Sequence, residues 1–311
     1  MFNKEVKSVL DLLNAFPTEE SCVLHLEDIR WKDNIVVSPF DADSKVYQCK
    51  GNKYMCKNTQ KYFNVKTDTI FDNTKLGLQK WFLAIWISTS YKKGISSIQL
   101  SKEIGITQKS AWFMLQRIRK CFGLDLYNDT PLEGIIEADE TFVGGKNKNR
   151  HKDKKVEQSQ GRSFKDKTPV LGLLERGGRI KAFVIGNTQA KTIQPIIKKH
   201  VAADSVLISD EWHGYRNLHN TYDHHVVDHG KKQYVSFDNP EIHSNSIEGF
   251  WGILKRGYNG IYNWWSRKHM QKYVDEFVFR YNVRKLDTFV KFNIFLENME
   301  NRLTYKELIN G

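Results

Sequence analysis

With 311 residues, 40% hydrophobic and 13% aromatic, the chain is long and apolar enough for two or three packed domains, which excludes a disordered protein. A net charge of +12 points to a polyanionic partner, and the lack of a long basic amphipathic anchor favours nucleic acid over a membrane surface. The start, Met1-Phe2-Asn3-Lys4-Glu5, has no apolar secretory core, and the four cysteines therefore read as reduced thiols or metal ligands in a cytoplasmic, nucleoid-associated protein.

In chain order, Val6, Val9, Leu10, Leu13 and Phe16 mark a short amphipathic helix within residues 1–20. Residues 21–70 read as a small β module of zinc-ribbon type. Cys22 and His25 have the spacing of a zinc knuckle, and with Cys49 and Cys56 they make a possible four-ligand set. Thr59 stands where a second tight pair would place a ligand, so a metal-free module of the same shape is the rival reading.

Residues 75–125 read as three helices. The first, about Gly77–Tyr91, is strongly apolar but holds only a short run, Trp81–Ile87, far too brief to span a bilayer. A helix, a tight turn at Gly105 and a second helix capped by Thr107 follow, with Leu100, Ile104, Ile106, Ala111, Leu115 and Ile118 as the packing set. This is helix-turn-helix chemistry. Gln108 and Lys109 open the second helix and are candidates for base contacts, while Arg117 and Lys120, read as outward-facing with Gln116, suit phosphates. A plain three-helix bundle with a basic face is the alternative.

Residues 133–143 look like a buried strand in which Asp139 sits among apolar neighbours, where an acid must be paired, hydrogen-bonded or metal-bound. The basic tract after it, including Lys146, Lys148 and Arg150, is either a solvated loop or a clamp on a substrate backbone. Val170–Glu175 and Ile180–Ile185 flank Arg176-Gly-Gly-Arg179 as a β-hairpin, a helix covers Thr192–Val201, and the short strand from Val206 ends at Asp210. His213, His219, His224, His225, His229 and His243 read mostly as solvent-facing or backbone-bonded. The stretch His243–Gly257 gives a helical stripe of Ile247, Phe250, Trp251 and Leu254, capped by Ser244 or Ser246, with Glu248 and Lys255 sharing a second face two turns apart. Trp264 and Trp265 can stack on an unpaired base, although core packing is the simpler role. Tyr273, Phe277 and Tyr281 close the domain core, and nothing after Asp287 speaks to function. The order of strands, hairpin, helices and acids over 130–290 is α/β and matches a ribonuclease-H-like domain, with 291–311 as a C-terminal tail.

Five motifs in this order carry a resemblance: Lys61-Tyr-Phe-Asn-Val-Lys-Thr67, Gly94-Ile-Ser-Ser-Ile-Gln-Leu100, Glu137-Ala-Asp-Glu-Thr-Phe-Val-Gly-Gly-Lys146, Asp210-Glu-Trp-His-Gly-Tyr215 and Asn245-Ser-Ile-Glu-Gly-Phe-Trp-Gly-Ile-Leu-Lys-Arg-Gly257. From about Cys22 to Tyr281 the chain resembles bacterial insertion-sequence transposases of the DDE superfamily, in particular the insertion sequence fifteen-ninety-five family. The resemblance implies that Asp139, Asp210 and Glu248 are the metal-binding triad. A two-ion mechanism with Mg²⁺ or Mn²⁺ would then have Asp139 bridge both ions, Asp210 hold one and Glu248 the other. Lys255 follows as the basic partner of the third acid and Arg256 as a further DNA contact. His243 and Asn245 are rivals to Glu248 or tune it, since some members use Asn or His in that role. The family's N-terminal ribbon pairs its cysteines, a pattern that Thr59 breaks, so one structural zinc in the ribbon stays an open alternative. The expected reactions are hydrolysis and strand transfer on double-stranded DNA, with the helix-turn-helix reading the terminal inverted repeats and the two ends handled together by a homodimer or larger assembly. A non-catalytic DNA-binding derivative and a ribonuclease-H-like structural nuclease are the competing functions.

Overall fold

The computed structural model describes residues 6–123, 130–145, 151–156, 167–227 and 242–310. The chain forms two compact units, Met1–Leu124 together with Lys285–Gly311, and Asp125–Arg284. The first unit therefore takes back the end of the chain. The expected C-terminal tail is instead two helices, α9 (Thr288–Glu297) and α10 (Tyr305–Asn310), packed within that unit.

Within the first unit, α1 (Val9–Ala15) is started by Ser8 in a reciprocal capping box with Asp11. Then α2 (Glu19–Arg30) begins at Thr18, with Glu19 and Glu20 in its first turn, where acids complement the helix dipole. The supposed zinc knuckle lies inside α2: Cys22, Val23, His25 and Leu26 form its buried stripe. Strands β1 (Val46–Cys49), β2 (Lys53–Cys56) and β3 (Tyr62–Phe63) make a three-stranded antiparallel sheet. Helix α3 (Leu78–Ser90) is buried nearly all round, and its first N–H, that of Leu78, donates to the Glu19 carboxylate at 2.6 Å. Phe16, His25, Phe82 and Phe292 share one aromatic cluster, with Phe16 4.8 Å from His25 and 4.9 Å from Phe82 between ring centres. Helices α4 (Ser97–Glu103) and α5 (Gln108–Phe122) flank a turn in which Gly105 takes φ +61°, and Thr107 caps α5 by accepting from Ser110 N.

The second unit is a five-stranded mixed sheet in the order β6-β5-β4-β7-β8. Strands β4 (Ile135–Val143), β5 (Thr168–Glu175) and β6 (Ile180–Val184) form an antiparallel meander, whereas β7 (Val206–Asp210) and β8 (Asp223–Val227) add in parallel beyond β4. This is the α/β order expected from the sequence. On one face α6 (Ala190–His200) packs Ile193 and Ile197 against Ile136, Ala138, Leu171 and Leu173. On the other, α7 (Asn245–Gly257) and α8 (Met270–Asn282) bury Ile247, Phe250, Trp251, Leu254, Val274 and Phe277 against Val170, Leu174 and Ala182. Beyond α7 a π-helical turn, Tyr258–Tyr262, leads to Asn263 in the left-handed region; Trp265 is then buried and Trp264 is 68% exposed. The outer side of β6 is met by side chains of α8. Gln271 Oε1 accepts from Val184 N and its Nε2 donates to Ala182 O, while Asn282 makes the same pair of bonds with Ile180.

Candidate active site

Strand alternation decides what each acid of β4 faces. Ile136 and Ala138 point to the α6 side, so Glu137 and Asp139 point to the α7 side. The parallel register pairs Glu137 with Ile208, and continuing it two residues brings Asp139 level with Asp210 at the end of β7. Two strands that are far apart in sequence thus deliver two carboxylates side by side. Glu140 joins them: Asp139, Glu140 and Asp210 offer oxygens that all lie within 4.8 Å of one another, and no other group of three Asp, Glu, His or Cys does so among the described residues. Glu140 was not singled out from the sequence, where only Asp139 stood out as an acid among apolar neighbours.

Each acid is oriented by its surroundings. Asp210 is buried and accepts from Trp212 N at 3.0 Å, which folds the chain back just after β7. Asp139 Oδ2 accepts from the indole Nε1 of Trp251 at 2.9 Å. Tyr215 lies fully buried beside the cluster. Burial, followed by the charges of Glu140, Asp139 and Asp210, pushes its phenol well above the ordinary value and keeps it protonated. Three carboxylates this close repel one another, and an all-oxygen donor set suits a hard divalent cation such as Mg²⁺ or Mn²⁺. The residues fit that group.

Glu137 has a different task. It is fully buried and binds Arg176, with Nε and Nη2 at 3.1 and 3.0 Å from Oε1, while Oε2 accepts from Ile247 N at 2.9 Å. Arg176 Nη2 also donates to His243 O at 2.9 Å. The sequence expectation that Ser244 or Ser246 caps α7 is corrected here: Ser244 is the N-cap residue, but its side chain makes no capping bond, and the acceptor comes from β4. His243 belongs to this knot, with Nδ1 3.3 Å from Arg176 Nη2 and 3.4 Å from Asn245 N. Asn245, Glu248, Lys255 and Arg256 are exposed on α7, and Glu248 is not part of the acid cluster.

The other candidates part ways. Gln108 and Lys109 are exposed at the start of α5, as expected; Gln108 Nε2 donates to Ser97 Oγ, and Lys109 lies over the ring of Tyr305. Arg117 is not an outward phosphate contact. It is 6% exposed and donates to Leu303 O, Ile70 O and Asp72 O, at 2.8–2.9 Å. Lys120 Nζ likewise donates to Arg302 O, and Gln116 is buried, because the end of the chain covers this side of α5. Lys146, Lys148, Arg150 and His229 lie outside the described residues.

The zinc set does not fit. Cys22, His25, Cys49 and Cys56 do not converge on one point. Burial, with Glu19 behind it, pushes the Cys22 thiol up to about 12, and His25 Nε2 is bonded to Asn293 Oδ1 at 3.0 Å among phenylalanine rings. Burial also opposes a Cys56 thiolate, but hydrogen bonds from Ser38, Ser44 and Thr59 outweigh it and bring that thiol down to about 6. Hydroxyls surround Cys56 where the ribbon expectation called for further metal ligands.

Comparison with known proteins follows the geometry. Residues 131–282 match the ISXO2-like transposase domain. Over 263 residues the chain is 26% identical to an uncharacterized protein in transposable element ISH50 of Halobacterium salinarum, an alignment covering 78% of this chain and 84% of that one. An uncharacterized transposase-like protein of Haemophilus influenzae is 28% identical over 108 residues, 33% of this chain and 81% of the relative. Among solved structures, the Mos1 transposase paired-end complex with left transposon end is 14% identical, with a TM-score of 0.29 over 66% of this chain and 71% of that one, too loose a likeness to carry an argument. No helix among the described residues is long and apolar enough to cross a membrane.

Proposed function

We infer, for a chain whose residues 131–282 belong to the ISXO2-like transposase domain family, that the protein binds the ends of its own insertion sequence. There it catalyses metal-dependent phosphodiester hydrolysis and strand transfer. The carrying observation is the convergence of Asp139, Glu140 and Asp210 inside that family-matched segment. Divalent cations at such a site activate a water or a 3′-hydroxyl and neutralise charge on the scissile phosphate. Asp139 and Asp210 are the proposed shared ligands. Glu140 and Glu248 compete for the third place: Glu140 by its position in the cluster, Glu248 by standing one turn before Trp251, whose indole reaches Asp139.

The remaining chemistry falls to cations and aromatics. Lys255 and Arg256, exposed in the last turn of α7, are the proposed contacts to the DNA backbone near the cut. Gln108 and Lys109 are proposed to read bases of the terminal repeat, and the exposed Trp264 ring offers a platform for an unpaired base. Two ends have to be handled together, so a dimer or larger assembly on DNA is part of the proposal.

The test is a labelled duplex carrying the element's own ends, incubated with Mg²⁺ or Mn²⁺ and with EDTA. Metal-dependent nicking at the end boundary, abolished by Asp139→Ala with end binding retained, is the expected result. Tight binding without nicking under either metal would replace this reading with that of a DNA-binding protein.

A further inference from the structure

Trp251 makes a contact that packing alone does not require. The ring is 4% exposed and belongs to the core between α7 and the sheet, yet its one polar atom, Nε1, donates to Asp139 Oδ2 at 2.9 Å. Two other residues make that meeting possible. Gly172 is the direct partner of Asp139 across the β4–β5 ladder, and a Cβ there would lie 2.6 Å from Trp251 Cζ2 and 2.8 Å from Cη2. Its φ is not among the positive ones, so the need for glycine is set by the ring lying against it rather than by backbone conformation. Glu137 supplies the register by binding Ile247 N, one turn before Trp251. Four helical residues advance about 6 Å and two strand residues about 7 Å. A helix pinned at Glu137 through Ile247 therefore presents the residue four positions on, Trp251, to Asp139.

The chemistry of the donor matters as much as its place. An indole N–H donates, cannot accept and does not titrate. It fixes the direction of a carboxylate without cancelling its charge, whereas a lysine or arginine at the same point would compete with a cation for it. We propose that Trp251 is a positioning residue that holds Asp139 in the orientation that takes a divalent cation, and that Gly172 is glycine to let the ring reach it. The proposal rests on the reading of Asp139 as a metal ligand.

The experiment uses the full chain with Trp251 replaced by 3-benzothienylalanine, which keeps the shape of the indole and puts sulfur in place of N–H, alongside Trp251→Phe and Asp139→Asn. Ca²⁺ binding is measured by calorimetry, and the Mn²⁺ concentration for half-maximal nicking is measured on end DNA. The isostere is expected to melt and bind end DNA like the wild type, to bind Ca²⁺ about tenfold more weakly, and to need correspondingly more Mn²⁺. Trp251→Phe is expected to show the same loss together with a lower melting temperature from the smaller ring. Unchanged Ca²⁺ affinity and Mn²⁺ midpoint in the isostere, with Asp139→Asn impaired, would overturn the role of Trp251 alone. Equal Ca²⁺ binding by the wild type and Asp139→Asn would overturn the metal-site reading and this inference with it.

Discussion

The carboxylate of Glu137 accepts the backbone N–H of Ile247 at 2.9 Å, so the helix carrying Glu248 and Lys255 is capped by a residue 110 positions earlier in the chain. The same carboxylate, fully buried, pairs with Arg176, whose side chain is 21% exposed. Glu137→Ala removes both the cap and the ion pair and should destabilise the second unit by on the order of 2–4 kcal/mol. Glu137→Gln retains an acceptor for Ile247 and should lose less. Denaturant unfolding of the full chain, followed by tryptophan fluorescence, separates them; equal loss in the two variants would mean that the cap contributes nothing.

Glu140 and Glu248 make opposite predictions about the third metal ligand. If proximity to Asp139 and Asp210 decides it, Glu140→Gln lowers nicking by at least about a hundredfold at fixed Mg²⁺ and is partly restored by excess Mn²⁺, while Glu248→Gln loses about tenfold or less. The reverse order would give the third place to α7. Fluorescence anisotropy with end DNA should show binding intact in both.

Asp275 sets a pH dependence of stability. Burial raises its pKa from 3.8 to about 7, against a smaller opposing effect of the hydrogen bond from Gln271. The folded state thus binds this proton more tightly than the unfolded one. The stabilisation is complete below about pH 4 and is lost as the pH rises through 7. Asp275→Asn, neutral at every pH, should raise stability at pH 8 by on the order of 1–3 kcal/mol and flatten the profile between pH 4 and 8. Melting curves across that range give the answer, and a parallel profile in the variant would remove Asp275 as the cause.

For the ribbon-like module, the purified protein should contain well under one zinc per chain by elemental analysis, and its melting temperature should not fall on addition of a chelator. Stoichiometric zinc lost together with the fold would restore the metal reading.

What the sequence disclosed follows from where the signal was local. An acid in an apolar run marks Asp139 and Asp210 without further help, and the Ile247, Phe250, Trp251, Leu254 stripe marks α7. Elements whose logic depends on distant partners were illegible. Glu137 looked like one more strand acid because Arg176 and Ile247 are not its neighbours in sequence. Cys22 and His25 match a knuckle spacing and equally an i, i+3 helical pair; the capping box at Thr18 and the two glutamates after it were the signal that favoured the helix. Arg117 was assigned to solvent because the residues that cover it, Leu303 and its neighbours, come from the far end of the chain. Strand β8, Asp-His-His-Val-Val over Asp223–Val227, was missed because its polar start hides a short parallel edge strand.

The side-chain amides of Gln271 and Asn282 have one more consequence. Each occupies both a donor and an acceptor on the open side of β6, at the positions where a second copy of the chain would have to add a strand. That border of the sheet is closed to β-augmentation unless α8 first peels away. A second copy of the chain that meets this border finds its hydrogen-bonding positions already taken.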